Sequence, residues 1–213
     1  MGCMRFADRF EAGRVLARAL ADESWTDPLV LGLARGGVPV AFEVAAALGG
    51  ELDVAVARKI GAPGHPEYGI GAVTANGEPI FDEEALRVLG LTREDLADRC
   101  EAERREARRR LALYRDGPVR LEGRDVLVVD DGLATGVTAR AALREARGQD
   151  PRRLVLAVPV GAADSVRALR ADADLVVCPH PRTDFRAVGR FYGHFDQTTD
   201  DQVVELLRRH GAR

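Results

Sequence analysis

The stretch Val126-Leu-Val-Val-Asp-Asp-Gly-Leu-Ala-Thr-Gly-Val-Thr138 decides the fold that the sequence predicts. Its four apolar residues are typical of a strand buried on both faces, and its last residues open a helix. Ligands bind parallel sheets at the carboxyl ends of strands, which is where Asp130 and Asp131 stand. Backbone N–H groups at the start of a helix bind anions, and Thr135 and Thr138 add hydroxyl donors. The stretch therefore predicts a phosphate site beside a carboxylate pair.

Strands and helices alternate on both sides of this stretch. We expect buried strands at residues 29–33, 53–57, 126–129, 154–160 and 175–178. We expect helices at residues 9–21, 38–48, 135–147, 162–169 and 200–210. Strand, turn, helix and strand in succession form a βαβ unit, which requires a parallel sheet. The sequence thus predicts an α/β fold, a parallel sheet of about five strands flanked by helices, in a single domain over residues 1–213.

Two short segments carry the other basic and glycine-rich candidates for the site. Ala34-Arg35-Gly36-Gly37 follows the first strand, and its glycines permit a tight turn with backbone N–H groups open to an anion. Arg58-Lys59 follows the second strand, and Lys59 is the only lysine in the sequence. Because glycines and prolines crowd residues 58–68, we expect a mobile surface loop there. An ordinary βα turn and a solvated basic pair are the alternatives.

A charged segment at about residues 82–118 interrupts the α/β pattern, and we interpret it as a helical insertion. Thr92 is expected to cap a long helix that ends near Tyr114 and buries one apolar stripe. Arginines at residues 104–105 and 108–110 are typical of nucleic-acid contacts, but glutamates alternate with them at helical spacing: Glu101, Glu103 and Glu106. We therefore favour a solvated, salt-bridged face and expect no nucleic-acid partner.

The composition argues against several other classes of protein. A net charge of −3 and a pI near 5.9 give no basic field for nucleic acid. No apolar run approaches the roughly 18 residues of a membrane span, and the first residues lack the apolar region of a secretory signal. The three cysteines and four histidines have no spacing typical of metal ligands. We expect a cytoplasmic protein with no membrane partner.

Residues 126–138 resemble the 5-phosphoribosyl-1-pyrophosphate (PRPP) signature of type I phosphoribosyltransferases. The resemblance covers the whole order of four apolar residues, two acids, two variable positions and small-Thr-Gly-x-Thr. Ala34 to Gly37 resembles the pyrophosphate loop of that family, which often contains a cis non-proline peptide, and Arg58-Lys59 resembles its basic pair for the leaving pyrophosphate. The resemblance implies the type I fold and a transferase that uses PRPP and Mg²⁺ and releases pyrophosphate.

The resemblance also implies a role for each motif. Asp130 and Asp131 are expected to bind Mg²⁺ and the ribose hydroxyls. The 5-phosphate is assigned to the turn and helix start formed by Gly132, Ala134, Thr135, Gly136, Val137 and Thr138. Pyrophosphate is assigned to Ala34, Arg35, Gly36 and Gly37, with Arg58 and Lys59 as catalytic cations. The loop at residues 58–68 is expected to close over the site and exclude water, because hydrolysis of PRPP is the competing reaction.

The resemblance leaves the acceptor open. Ala134 stands where 6-oxopurine enzymes carry an acid that works as a general base, which counts against hypoxanthine and guanine. Glu67-Tyr68 resembles a pair in the catalytic loop of adenine enzymes, so Glu67 is a candidate catalytic residue, although its spacing from Arg58-Lys59 is shorter here. An acid and an aromatic side chain on an ordinary loop are the alternative. We expect a nucleobase-like acceptor.

The tail at residues 179–213 holds four of the ten Phe and Tyr residues of the chain: Phe185, Phe191, Tyr192 and Phe195. In this fold the chain ends form a hood in which an aromatic side chain stacks on the base, and plain packing onto the core is the alternative. A non-catalytic, PRPP-binding regulatory protein is the alternative function. We leave open whether the chain forms a homodimer.

Overall fold

The structure is a computed structural model that describes residues 5–212, apart from the side chains of residues 66 and 67. The helices are Arg9–Leu20 (α1), Gly37–Leu48 (α2), Glu83–Leu89 (α3), Ala97–Tyr114 (α4), Val137–Arg147 (α5), Ala163–Ala168 (α6) and Asp200–Gly211 (α7). The strands are Leu29–Leu33 (β1), Glu51–Ala55 (β2), Ala57–Ala62 (β3), His65–Thr74 (β4), Ile80–Phe81 (β5), Asp125–Val129 (β6), Arg153–Ala157 (β7), Val160–Ala162 (β8), Leu175–Val177 (β9) and His180–Arg182 (β10).

A five-stranded parallel sheet forms the centre of the molecule, which confirms the predicted fold class. Its strand order is β2-β1-β6-β7-β9, and each neighbouring pair is parallel. From β1 the chain continues to β2 on one side of β1, and it later returns to the opposite side of β1 at β6. The direction in which strands are added to the sheet therefore reverses between β1 and β6. At such a reversal the connections after the two strands diverge and leave a crevice at their carboxyl ends.

Alternate residues of the central strands fill the two faces of the sheet. Val30, Leu127 and Val129 pack with α1, α2 and α7 on one face, and Leu31 and Val128 pack with α5 on the other. All five side chains are buried. A sheet that is covered on both faces requires strands that are almost continuously apolar, as β1 and residues 126–129 of β6 are.

Residues 57–74 form an antiparallel hairpin, β3 with β4, where the sequence predicted a mobile loop over residues 58–68. That prediction was wrong because the glycines and prolines stand where a hairpin tolerates them. Pro63 and Gly64 lie in the turn between the strands, and Gly64 has a positive φ of 77°. The register shifts on both sides of Gly61, which makes the strand irregular at this point.

The last predicted strand segments also differ in detail. Residues 154–160 were predicted as one strand, but β7 ends at Ala157 and β8 begins at Val160, with Pro159 between them. Proline has no N–H group for a sheet hydrogen bond, so the strand breaks there. β8 leaves the central sheet and pairs with β10 from the tail. Helix α5 begins at Val137, two residues later than predicted.

Helix α4 packs against the β3–β4 hairpin and carries the predicted salt-bridged face. The guanidinium groups of Arg104 and Arg108 donate hydrogen bonds to the backbone oxygens of Gly77 and Ala75, and Glu106 accepts from two further arginines of the helix. Two of the arginines predicted to be solvated thus hold the helix to the turn between β4 and β5. No helix within residues 5–212 is long and apolar enough to cross a membrane.

Candidate active site

The two acids lie at the carboxyl end of β6, against the turn that follows β1. A Cβ atom on Gly36 would stand 2.2 Å from Asp131 Oδ2, and one on Gly37 would stand 2.5 Å from the backbone oxygen of Val129. Neither distance is compatible with a side chain, so glycine is required for this close approach. The structure therefore brings the predicted pyrophosphate turn and the predicted ribose-binding acids together.

The acid pair is short of positive charge. Burial of the carboxyl and the charge of Asp131 raise the pKa of Asp130 well above its usual value, and the charges of Arg9 and Lys59 act in the opposite direction. Burial also raises the pKa of Asp131, although Arg9 lowers it. The ion pair between Arg9 Nε and Asp131 Oδ2 is 2.8 Å long. A buried pair of like charges is stabilised by added cations or by hydrogen-bond donors.

Two cavities meet at these acids. The first, of about 290 Å³, is lined by the turn after β1 together with Arg9, Arg110, Gln197 and Thr198. The second, of about 220 Å³, is lined by residues 132–136 together with Lys59 and Val188. Asp130, Asp131 and Thr138 line both cavities. The carboxylates thus stand between a turn at a helix N-terminus and a group of arginine side chains.

The turn between β6 and α5 has the features of an anion site. Gly136 caps α5 with φ 76°, a left-handed conformation that favours glycine. The backbone of Leu133 fixes the turn, because its N–H donates to Val160 and its oxygen accepts from Ala162. The first N–H groups of a helix have no acceptor within the helix. Gly136 and Thr138, together with the exposed Ala134 and Thr135, line the 220 Å³ cavity at this helix start.

The turn after β1 contains a cis peptide between Ala34 and Arg35, as the resemblance implied. Arg35 lies with its Nη1 atom 3.7 Å from Asp200 Oδ1, at the start of α7. Tyr114 of α4 donates a hydrogen bond to the same carboxylate. The C-terminal helix and α4 therefore both fix the environment of this arginine.

Arg58 and Lys59 point to opposite sides of β3. Lys59 lines the 220 Å³ cavity, on the side of the turn at residues 132–136. Arg58 Nε lies 2.8 Å from Glu103 Oε2 of α4, and Arg58 lines neither of the two cavities. Successive side chains of a strand alternate between its faces, so a pair on β3 cannot act as one cationic cluster. The structure brings Lys59 to the site and leaves Arg58 on α4.

Arg9, Arg110 and Val188 also line these cavities, and none of them was predicted as a site residue. Arg9 donates to the backbone oxygen of Asp196, and its guanidinium lies 4.0 Å from the centre of the Phe195 ring. No local pattern identifies such residues, because each is far from the acid pair in sequence. The side chain of Glu67 lies outside the described residues, so its role stays a prediction.

The tail aromatics mostly pack within the protein. Phe191 and Tyr192 are buried in a cluster with Phe6, and the Tyr192 hydroxyl donates a 2.5 Å hydrogen bond to the backbone oxygen of Asp131. The alternative that the tail aromatics simply pack onto the core therefore holds for Phe191 and Tyr192. Phe195 is the most exposed of the four, and its ring lies against Arg9.

The acid pair fits the predicted Mg²⁺. This ion is normally held by one or two carboxylates together with substrate phosphates and water. Asp130 and Asp131 supply carboxylate oxygens where the two cavities meet. Within the part of the chain that the structure describes, no cluster of three or more His, Cys, Asp or Glu side chains suits a metal. Two carboxylates at one site match the number that Mg²⁺ normally takes from a protein.

A family model described as the phosphoribosyl transferase domain matches residues 7–192. The chain belongs to this phosphoribosyl transferase family. Two curated proteins of Mycobacterium tuberculosis are each 46% identical to it over 209 residues, which is 96% of this chain and 46% of theirs. They are named "Putative phosphoribosyl transferase MT0597" (strain CDC 1551 / Oshkosh) and "Putative phosphoribosyl transferase Rv0571c" (strain ATCC 25618 / H37Rv). The chain spans about half the length of these curated relatives.

The phosphoribosyl transferase fold of this chain is similar along its whole length to a solved structure. The crystal structure of TT1426 from Thermus thermophilus has a TM-score of 0.81 and 45% sequence identity, and the match covers 97% of this chain and 99% of that one. The family predicted from residues 126–138 is thus confirmed. The acceptor is not specified by any of these relatives' names.

Proposed function

We propose that this chain transfers the 5-phosphoribosyl group of PRPP to a nucleobase-like acceptor and releases pyrophosphate. The observation that carries the proposal is the position of Asp130 and Asp131 between the two cavities. PRPP has a monophosphate at one end, a diphosphate at the other and ribose hydroxyls between them. A helix N-terminus on one side, arginines on the other and carboxylates between them match those groups in order.

In this proposal the backbone N–H groups of residues 132–138 bind the 5-phosphate, and the hydroxyls of Thr135 and Thr138 add donors. Ala34 to Gly37 bind the diphosphate, while Asp130 and Asp131 accept hydrogen bonds from the ribose and hold Mg²⁺. When bound, Mg²⁺ neutralises charge that develops on the leaving diphosphate. Lys59 adds a positive charge beside Asp130 and lines the 220 Å³ cavity, so in this proposal it acts at the 5-phosphate end of the ligand and not on the diphosphate. Arg58, paired with Glu103, has no direct part.

Displacement at ribose C1 builds positive charge on the sugar ring and negative charge on the leaving group. The residues of this chain contribute by holding both ends of the ligand in place, since correct positioning supplies much of the rate enhancement in such reactions. A role in nucleotide salvage and a cytoplasmic location are further parts of this proposal.

The test is to mix the protein with PRPP, Mg²⁺ and a panel of nucleobases and to measure pyrophosphate release. We expect release with at least one base and no release from the Asp130→Asn, Asp131→Asn double variant. Calorimetry with PRPP and Mg²⁺ alone separates the alternatives. Binding without release from any base supports the PRPP-binding regulatory protein, and absence of binding overturns the proposal.

A further inference from the structure

Three arginines line the 290 Å³ cavity, and each comes from a different part of the chain. Arg9 is the first residue of α1, Arg35 lies in the turn after β1, and Arg110 lies in the last two turns of α4. The cavity also contains the carboxylates of Asp130 and Asp131. Arginine offers five N–H donors in a planar fork, which matches the oxygens of a phosphate group.

Carboxylates hold all three arginines in place. Arg9 lies 2.8 Å from Asp131, Arg35 lies 3.7 Å from Asp200, and Arg110 lies 2.8 Å from Glu106. Their side chains are only 11%, 21% and 18% exposed, respectively. A long side chain that is already fixed loses less conformational entropy when it binds a ligand. Partial burial also weakens the screening of its charge by solvent.

We propose that Arg110 and Arg9 belong to the diphosphate subsite and that α4 is therefore part of the active site. This inference rests on the proposed function, and it extends the subsite beyond the Ala34 to Gly37 turn. The turn supplies one cation of its own, Arg35, whereas a magnesium diphosphate still carries negative charge. Guanidinium groups from α1 and α4 line the same cavity and supply the positive charge that the turn lacks.

Arg109 provides a matched control on the same helix. Arg109 Nε and Arg110 Nε lie 2.7 Å and 2.8 Å from the carboxylate of Glu106, so both pair with it, and Arg109 adds a second hydrogen bond from Nη2. The Arg109 side chain is 56% exposed, and Arg109 does not line the cavity. Loss of either residue removes one ion pair of α4, but only loss of Arg110 removes a cation from the subsite.

The experiment compares Arg110→Met with Arg109→Met in calorimetric titrations. The probes are inorganic pyrophosphate with Mg²⁺, for the diphosphate subsite, and ribose 5-phosphate, for the turn at residues 132–138. We expect Arg110→Met to raise the Kd of pyrophosphate by about tenfold or more, which is the effect of losing one charge-assisted contact. We expect both variants to keep the Kd of ribose 5-phosphate within about twofold of the unaltered protein.

Equal effects of the two variants on pyrophosphate binding would overturn the assignment of Arg110. So would an equal loss of both probes in Arg110→Met, since that outcome indicates a general disturbance of the fold. If the unaltered protein binds neither probe, the proposed function fails, whereas binding of both probes with no effect of Arg110→Met overturns the inference alone.

Arg9 is tested by two substitutions because it also ties α1 to the tail. Arg9→Met removes the charge and Arg9→Lys keeps it without the planar fork. We expect the pyrophosphate Kd to rise by about tenfold or more in Arg9→Met and to recover in part in Arg9→Lys. Full pyrophosphate affinity in Arg9→Met overturns the role of Arg9. The role is also overturned if Arg9→Lys, shown by circular dichroism to be folded, binds pyrophosphate no better than Arg9→Met.

Discussion

Replacement of Gly36 by alanine tests whether the turn after β1 must lie directly against the acid pair. Gly36 has φ −63° and ψ −31°, which alanine adopts without strain. A Cβ atom at this position would stand 2.2 Å from Asp131 Oδ2 and 3.0 Å from Asp131 Cγ. The substitution therefore changes one contact and leaves the backbone preference unaltered.

The magnitude follows from the distance that the carboxylate must move. Asp131 Oδ2 has to withdraw by about 1 Å to reach an ordinary contact with the new methyl group. This movement lengthens the 2.8 Å ion pair with Arg9. Overpacking of this kind costs about 1–3 kcal/mol of the free energy of unfolding. A misplacement of about 1 Å in a binding site costs on the order of 100-fold, so we expect the Kd of PRPP with Mg²⁺ to rise by about that factor.

Calorimetry measures the Kd, and urea unfolding measures the stability. Gly148→Ala is the control, because Gly148 has φ −67° and its Cβ atom would have no neighbour closer than 3.5 Å. We expect this control to keep its affinity and to gain about 0.4–1 kcal/mol of stability at most. A Kd for Gly36→Ala within about twofold of the unaltered protein would refute the reasoning, because the acid pair would then tolerate displacement.

Other substitutions test separate contacts of the site and of α4. Tyr192→Phe leaves the backbone oxygen of Asp131 without its buried donor, so the free energy of unfolding in urea is expected to fall by about 1–3 kcal/mol. Gly136→Val forces a β-branched residue to φ 76° and places its Cβ atom 2.9 Å from Leu169. Calorimetry should then show at least about a tenfold loss of ribose 5-phosphate affinity. Hydrogen bonds from Arg109 and Arg110 lower the pKa of Glu106 to about 2 from its usual 4.5. A lowered carboxyl pKa contributes stability that is present above pH 4.5 and is lost as the pH falls through about 2. Glu106→Gln lacks this contribution, so its urea unfolding free energy should decline less than that of the unaltered protein across this range.

The centre of the sheet could be predicted from the sequence because β1 and residues 126–129 of β6 form continuous apolar runs. The bounds of β1 were predicted correctly, and the strand before the acid pair was predicted to within one residue. A strand buried on both faces has a continuous apolar run, and the Gly and Thr residues after it define the helix start. Asp130, Asp131 and residues 132–138 are consecutive in the chain, so a correct prediction of this strand and the following helix is enough to place them together.

The segment at residues 58–68 could not be predicted in the same way. The first strand of its hairpin, β3, depends on pairing with β4, and this pairing overrides the local preference of glycine and proline for loops. The error also affected the site. In a loop, Arg58 and Lys59 are free to act together, whereas in a strand they must face opposite sides. One wrong assignment of secondary structure thus gave Arg58 a role that its position against Glu103 does not support.

Arg9 and Arg110, which line the 290 Å³ cavity, were missed for a different reason. Arg110 stands in a run of arginines and glutamates whose helical spacing predicts a solvated face, and half of the charged residues at positions 101–110 are exposed. Which member of the run faces a ligand depends on how α4 is rotated against the hairpin, and tertiary contacts such as that between Arg108 and Ala75 decide this rotation. A charge pattern on one helix therefore indicates that arginines are present and cannot indicate which of them is used.

The two cavities differ in the number of cationic side chains that line them, and this difference determines which end of the proposed ligand binds in which cavity. The 220 Å³ cavity offers helix N–H groups and one lysine, whereas the 290 Å³ cavity offers three guanidinium groups. A diphosphate carries more negative charge than a monophosphate, so it gains more from the cavity with more cations. The reverse orientation would bring the more highly charged group to the side with a single lysine. In the proposed complex this difference, rather than the acid pair common to both cavities, decides which end of the sugar faces Arg110.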